Sequence, residues 1–161
     1  MKTEYLNTPI GWMELKGNAS GLASALFIDN EITPLTDVSE ILPEPLQKAL
    51  QQLSEYFKGD RQIFNIPLNP KGTEFQQKVW KELQNVSFGK TASYQQIANA
   101  LGDPKVIRAA ASANGKNPIS IIIPCHRVIG SDGSLTGYAG GLHRKKWLLQ
   151  HESPVKQGEL F

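Results

Sequence analysis

The sequence predicts an α/β protein. A small N-terminal sheet-plus-helix domain precedes a mostly helical C-terminal domain with a helix-turn-helix and a short active-site strand. Three observations predict this. Two strand-like stretches separated by turn residues open the chain, at Trp12–Lys16 and Leu22–Ile28. Two short helical patterns meet across Gly102-Asp103. An apolar β-branched run, Ile121–Ile123, leads into Pro124-Cys125-His126-Arg127.

In chain order, Trp12–Lys16 alternates apolar and polar residues, as a half-buried strand does. Asn18 and Gly21 bracket a turn, and Leu22–Ile28 comes next as a second strand of a hairpin or meander. Pro34 and Pro43 mark a loop. Glu44 to Phe57 is helical, with Leu46, Leu50, Leu53 and Tyr56/Phe57 on one face and Gly59 as its stop. Gln62–Ile66 alternates again and is expected to be another strand. Pro67, Pro70 and Gly72 form the boundary between domains 1–70 and 71–161.

Thr73-x-x-Gln76 has capping-box spacing, and the helix it opens carries Phe75, Val79 and Leu83 on one face. Ser93-x-x-Gln96 repeats the device before Tyr94, Ile97, Ala98 and Leu101, with Gly102 as the stop. Asp103-Pro104 supplies an N-cap and a first position for the next helix, which Asn114-Gly115 ends. This second helix would be the recognition helix of the pair. Its face is mostly small: Ala109, Ala110, Ala111, Ser112 and Ala113 surround one large polar residue, Arg108. Such a helix suits close approach to a narrow groove. The same pattern also fits an alanine-rich core helix with one exposed arginine. Leu142 to Glu152 is the last helix. Glu152 falls at its C-terminal end, where the helix dipole disfavours a carboxylate, so it should have another partner, a histidine above all. The tail Ser153–Phe161 is polar and expected to fray.

Bulk properties narrow the class. The 161 residues fit one domain, or a small one joined to a typical one. No apolar run approaches the roughly 18 residues of a membrane span, and the N-terminus lacks a secretory leader pattern. One cysteine excludes an internal disulfide, so a reducing, cytoplasmic location is expected. With Cys125, His126, His143 and His151 as the soft or borderline ligands and no C-x-x-C pair, no metal is expected. Residues 1–70 hold 5 Lys/Arg and 9 Asp/Glu, whereas 71–161 hold 12 and 6. The basic half is the one suited to a polyanion.

Cys125 would stand at the end of the buried strand, in the first turn of the next element. If that turn is helical, nearby backbone N–H groups lower the thiol pKa. A buried structural cysteine remains the alternative from the residue alone. Asn117 could hydrogen-bond its own backbone and hold the turn before Ile119–Ile123. Gly137-Tyr138-Ala139-Gly140-Gly141 forms a glycine-rich loop that permits close approach to a ligand.

Several stations in order resemble the O6-alkylguanine-DNA alkyltransferases, also called methylated-DNA–protein-cysteine methyltransferases. They are Phe75-Gln76-x-x-Val79-Trp80, Gly89-Lys90-Thr91-x-Ser93-Tyr94, Arg108, Asn117-Pro118, Pro124-Cys125-His126-Arg127-Val128, Gly137-Tyr138-x-Gly140-Gly141-Leu142 and Lys145-x-Trp147-Leu148-Leu149-x-x-Glu152. The match covers about residues 72–152. The resemblance implies a DNA-repair transferase that flips O6-alkylguanine from duplex DNA and moves the alkyl group to its own Cys125, once. It implies that His126 acts as base through a water, that Glu152 orients it, and that Asn117 holds the turn beneath. Arg108 would fill the gap left in the base stack, with Ala109, Ala110 and Ser112 facing DNA. Tyr94 would assist nucleotide rotation and hydrogen-bond the guanine. Tyr138, Val128 and Gly140 would shape the pocket, and Lys145 would be a supporting donor. The resemblance implies no cofactor. The expected partner is double-stranded DNA carrying O6-alkylguanine, with O4-alkylthymine left open, and the expected state is a monomer.

The residues leave two other readings open. One is a non-enzymatic helix-turn-helix DNA-binding protein with a core cysteine. The other is a Cys–His hydrolase or acyltransferase. The Ala-Ala-Ala-Ser stretch departs from relatives that carry glycines there, and no cysteine in residues 1–70 can hold the zinc of human-like relatives.

Overall fold

A computed structural model describes residues 1–32 and 41–154. The loop around Pro34 and most of the expected frayed tail lie outside the described residues. The chain divides into two compact units, Met1–Lys71 and Gly72–Phe161.

The first unit is a three-stranded antiparallel meander with one helix on it. Strands β1 (Lys2–Thr8), β2 (Gly11–Asn18) and β3 (Gly21–Ile28) lie in the order β1-β2-β3. Met13, Leu15, Leu22 and Ala25 point inward and are fully buried. Helix α1 (Glu44–Phe57) covers them with Leu46, Ala49, Leu53 and Tyr56. Apolar residues repeating at three and four positions put one stripe of this helix on the sheet. Strand β1 escapes the sequence reading because it is a polar edge strand, held by its ladder to β2 rather than by alternating burial.

The expected strand Gln62–Ile66 is not formed. The buried side chain of Gln52 takes both backbone groups of Asn65, accepting from its N–H at 2.8 Å and donating to its carbonyl at 3.1 Å. A side-chain amide thereby replaces a neighbouring strand. The chain then meets β3 at the isolated parallel bridge Leu22↔Leu68, where Leu22 N–H donates to the Pro67 carbonyl and Asn69 N–H to the Leu22 carbonyl, each at 2.8 Å.

In the second unit, α2 (Glu74–Leu83) begins at Thr73 and α3 (Tyr94–Ala100) at Ser93. Both capping boxes are complete. Asp103 caps a 3-10 turn, Pro104–Val106, before α4 (Ile107–Gly115) begins. The alanines of α4 allow close packing on α2 and α3. Trp80 crosses this contact and donates its indole N–H to the Ala113 carbonyl at 2.9 Å. Strands β4 (Ala92–Ser93) and β5 (Val128–Ile129) form a two-residue parallel ladder. Helix α5 (Leu142–Glu152) closes the unit. Among the described residues, no helix is long and apolar enough to cross a membrane.

Candidate active site

The expected strand before the cysteine is replaced by a knot of turns. Ile121 adopts φ 72°, the left-handed region that a β-branched side chain rarely enters. Tight bonds maintain it: Ile122 N–H donates to the Ser120 carbonyl at 2.8 Å, and Ile123 N–H to the Ile119 carbonyl at 3.2 Å. The buried Asn117 amide acts as the missing strand. Its Oδ1 accepts from Ile119 N–H at 2.9 Å, and its Nδ2 donates to the carbonyls of Ile119 and Ile123 at 3.2 and 2.8 Å. Burial of Ile119, Ile121 and Ile123 offsets the backbone cost.

Pro124 then starts a single 3-10 turn, Cys125–Arg127. Cys125 is buried, with 5% of its surface exposed. Burial pushes its thiol pKa up, against the Asn117 amide, the Lys145 charge and the backbone N–H groups of Cys125 and His126, which pull it down. The expected depression of the resting thiol is therefore corrected: one 3-10 turn does not supply enough donors to outweigh desolvation.

His126, in the same turn, is fully buried. Its Nε2 is 2.7 Å from Glu152 Oε2, which gives the carboxylate at the end of α5 a histidine neighbour. Its Nδ1 is buried and has no hydrogen-bond partner among the described residues. A carboxylate on Nε2 favours the tautomer with the proton there and leaves Nδ1 as a lone pair. Burial lowers the His126 pKa, opposed by the Glu152 charge. Glu152 is itself held down at about 2: burial raises it, and the His126 and Arg127 contacts overcome that.

Nothing in the sequence singles out Arg127 beyond its place in the motif. Its Nε donates to Glu152 Oε1 at 2.7 Å, its Nη2 to Oε2 at 3.2 Å and its Nη1 to the Val86 carbonyl at 2.7 Å. The one sequence signal is the misplaced carboxylate of Glu152, which needs more cation than one neutral imidazole.

Lys145 is fully buried, and its Nζ donates to the carbonyls of Val128 at 2.7 Å and Thr136 at 3.1 Å. Desolvation lowers its pKa to about 8. Thr136 also links to Tyr94, hydroxyl to hydroxyl at 2.7 Å. The Tyr138 hydroxyl is buried, and burial raises its pKa well above the usual tyrosine value, against a smaller lowering by Ser120. The Gly140 carbonyl is occupied by the Arg144 guanidinium at 3.0 Å.

On α4, Arg108, Ala109 and Ser112 are exposed and form one outer face. Ala110 is corrected: it is 1% exposed and belongs to the packed inner face of α4, so its side chain is not part of that outer surface. The helical period places residue 110 opposite the 108–109–112 stripe.

A family model described as 6-O-methylguanine DNA methyltransferase, DNA binding domain, matches residues 74–154. Its ribonuclease-like companion domain matches residues 1–70. The chain is 43% identical over 155 residues to the methylated-DNA–protein-cysteine methyltransferase of Mycobacterium tuberculosis, across 96% of this chain and 94% of that protein. It is also 43% identical over 153 residues to the one from Methanosarcina barkeri, across 94% and 97%. Among solved structures, Mycobacterium tuberculosis OGT in complex with DNA matches with a TM-score of 0.79 at 40% identity over 96% of each chain.

Proposed function

Because this chain belongs to the 6-O-methylguanine DNA methyltransferase family, we propose that it repairs DNA by moving the alkyl group of O6-alkylguanine onto its own Cys125. The observation that carries the reading is one buried turn. It holds Cys125 and His126 side by side, with the imidazole held through Nε2 by Glu152 and its Nδ1 left open.

The chemistry is derived from those atoms. Burial favours the protonated thiol at rest. Attack on an alkyl carbon needs the thiolate. The thiol proton passes, through a water, to His126 Nδ1, and Glu152 stabilises the resulting imidazolium. The sulfur forms a bond to the alkyl carbon as the bond from that carbon to guanine O6 breaks. The electron pair stays with the guanine, which recovers the proton. Lys145 lies close enough for its charge to favour the thiolate. The thioether has no easy hydrolysis route, so each molecule reacts once.

The target oxygen is not accessible within a stacked duplex, so the nucleotide must rotate outward. Arg108, exposed on the outer face of α4, is assigned to the vacancy in the stack, with Ala109 and Ser112 beside the backbone. Tyr94 is assigned to nucleotide rotation and guanine contact, and Tyr138, Val128 and Gly140 to the pocket. Asn117 is assigned to holding the turn under the sulfur. The partner is duplex DNA carrying O6-alkylguanine, bound by a monomer.

Intact-protein mass spectrometry after incubation with O6-methylguanine duplex tests this. One methyl group per molecule, mapped to Cys125, is expected. An unchanged mass on folded protein rejects the reading. Many turnovers on an ester, with no modified protein, would instead favour a Cys–His hydrolase.

A further inference from the structure

We infer that Arg127 is a positioning residue for alkyl transfer: its guanidinium grips both oxygens of Glu152, so the carboxylate orients His126 while the thiol proton stays on the imidazole. This rests on the proposed reaction and adds a positioning group behind its Cys125, His126 and Glu152.

Glu152 has two oxygens and a buried side chain, 2% exposed. Oε1 accepts from Arg127 Nε, and Oε2 is shared between Arg127 Nη2 and His126 Nε2. The fork fixes the plane of the carboxylate, which aims Oε2 at the imidazole. Arg127 is anchored in turn by the Val86 carbonyl, and its guanidinium lies 5.8 Å from the centre of the Phe88 ring. It is therefore held from the α2–β4 connection, independently of the carboxylate it grips.

The charge matters as much as the orientation. A carboxylate buried with a single imidazole can neutralise by taking that imidazole's proton. The guanidinium of Arg127, bonded to both carboxylate oxygens, prevents this. The groups facing His126 are Glu152 and Lys145 from α5 and Arg127 from its own turn, with Cys125 adjacent in sequence. Of these, Arg127 and Lys145 disfavour the imidazolium and Glu152 favours it. Removing Arg127 leaves Glu152 opposed by Lys145 alone, and the His126–Glu152 pair then holds a proton, on ring or carboxylate, to higher pH. A protonated His126 cannot accept from the thiol.

The test is the single-turnover rate against pH, measured with O6-methylguanine duplex for the full chain and for Arg127→Gln and Arg127→Lys. The Gln variant should lose about tenfold at neutral pH for each pH unit by which its midpoint rises, since the loss comes from a base that already holds its proton. It should recover about tenfold as pH rises one unit, because the base limb titrates as one proton. The Lys variant keeps the charge and should retain a profile whose midpoint stays near the wild-type one. A Gln profile lower at every pH by the same factor, with an unmoved midpoint, overturns the inference. So does a Lys variant whose midpoint rises as far as that of Gln. If the Gln variant does not fold, carbon NMR of the Glu152 carboxyl in the wild-type protein decides between pH 8 and about 5, around the ordinary histidine range. An ionised carboxylate throughout supports the assignment, and one that takes a proton in that window overturns it. Wild-type transfer to Cys125, measured in the same series, separates failure of this role from failure of the proposed reaction.

Discussion

Replacing Asn117 with alanine should destabilise the second unit by about 3 kcal/mol, from one orphaned donor at roughly 1–3 kcal/mol and two lost neutral hydrogen bonds at about 1 each, less some relaxation. Each contribution belongs to a particular atom. The Asn117 amide holds Ile119 N–H, Ile119 C=O and Ile123 C=O. The two carbonyls keep one other donor each, from Ile123 N–H and Cys125 N–H. The Ile119 amide has no such substitute in the turn, so the largest cost falls there. The substitution also releases Ile121 from its left-handed conformation, which gives back part of the roughly 1–2 kcal/mol stored in it. Native-state hydrogen exchange reads the outcome directly. The Ile119 amide should exchange on the order of 100-fold faster, since 1.4 kcal/mol is about a factor of ten. Thermal unfolding of the same variant should show a reduced midpoint. Unchanged protection at Ile119, or a loss below about 1 kcal/mol, would refute the view that this side chain stands in for a strand.

Other outcomes are expected from the same geometry. Cys125→Ser should bind O6-methylguanine duplex with near wild-type affinity in a filter assay yet show no mass increase, because only the nucleophile changes. Arg108→Ala should slow transfer from duplex DNA at least tenfold more than transfer from the free O6-benzylguanine base, since a free base needs no rotation out of a stack; equal losses would remove Arg108 from that role. DNA affinity should fall as salt rises, because phosphate contacts release counterions. Stability should fall on acidification. The folded-state pKa of Glu152 is depressed from 4.5 to about 2, so the unfolded chain binds the proton first. That contribution, on the order of 3 kcal/mol, is full above the unfolded value and is lost as pH drops through the folded one. His126, also depressed, adds a loss that begins below its ordinary value of 6.5. Melting temperatures between pH 7 and about 3 should therefore fall more steeply for the wild type than for Glu152→Gln, and equal slopes would contradict the assignment.

Local rules are readable where one residue type does one job. Thr73 with Gln76 and Ser93 with Gln96 announce their helices, and both boxes close as spaced. Gly59 and Gly102 stop the helices before them with positive φ. The failures share a cause. At Gln62–Ile66 and Ile119–Ile123 an apolar β-rich pattern meets a buried amide, Gln52 or Asn117, that satisfies the backbone in place of a partner strand. Periodicity reports burial and cannot report which donor completes the ladder. The thiol of Cys125 departs from expectation for a similar reason, since desolvation depends on everything packed around it. Arg127 escapes notice because its partner lies 25 residues away in the chain.

The ladder between Ala92-Ser93 and Val128-Ile129 has a consequence for attempts to re-engineer this protein. Ser93 caps the first helix of the pair, and Val128 comes three residues after the sulfur. Two rungs thus act as a ruler between the surface proposed to dock on a duplex and the atom proposed to react. Grafting a foreign helix pair onto residues 94–115 would preserve the reactive turn only if the graft kept that spacing. Address and warhead share one compact unit, and neither can be exchanged without remeasuring the other.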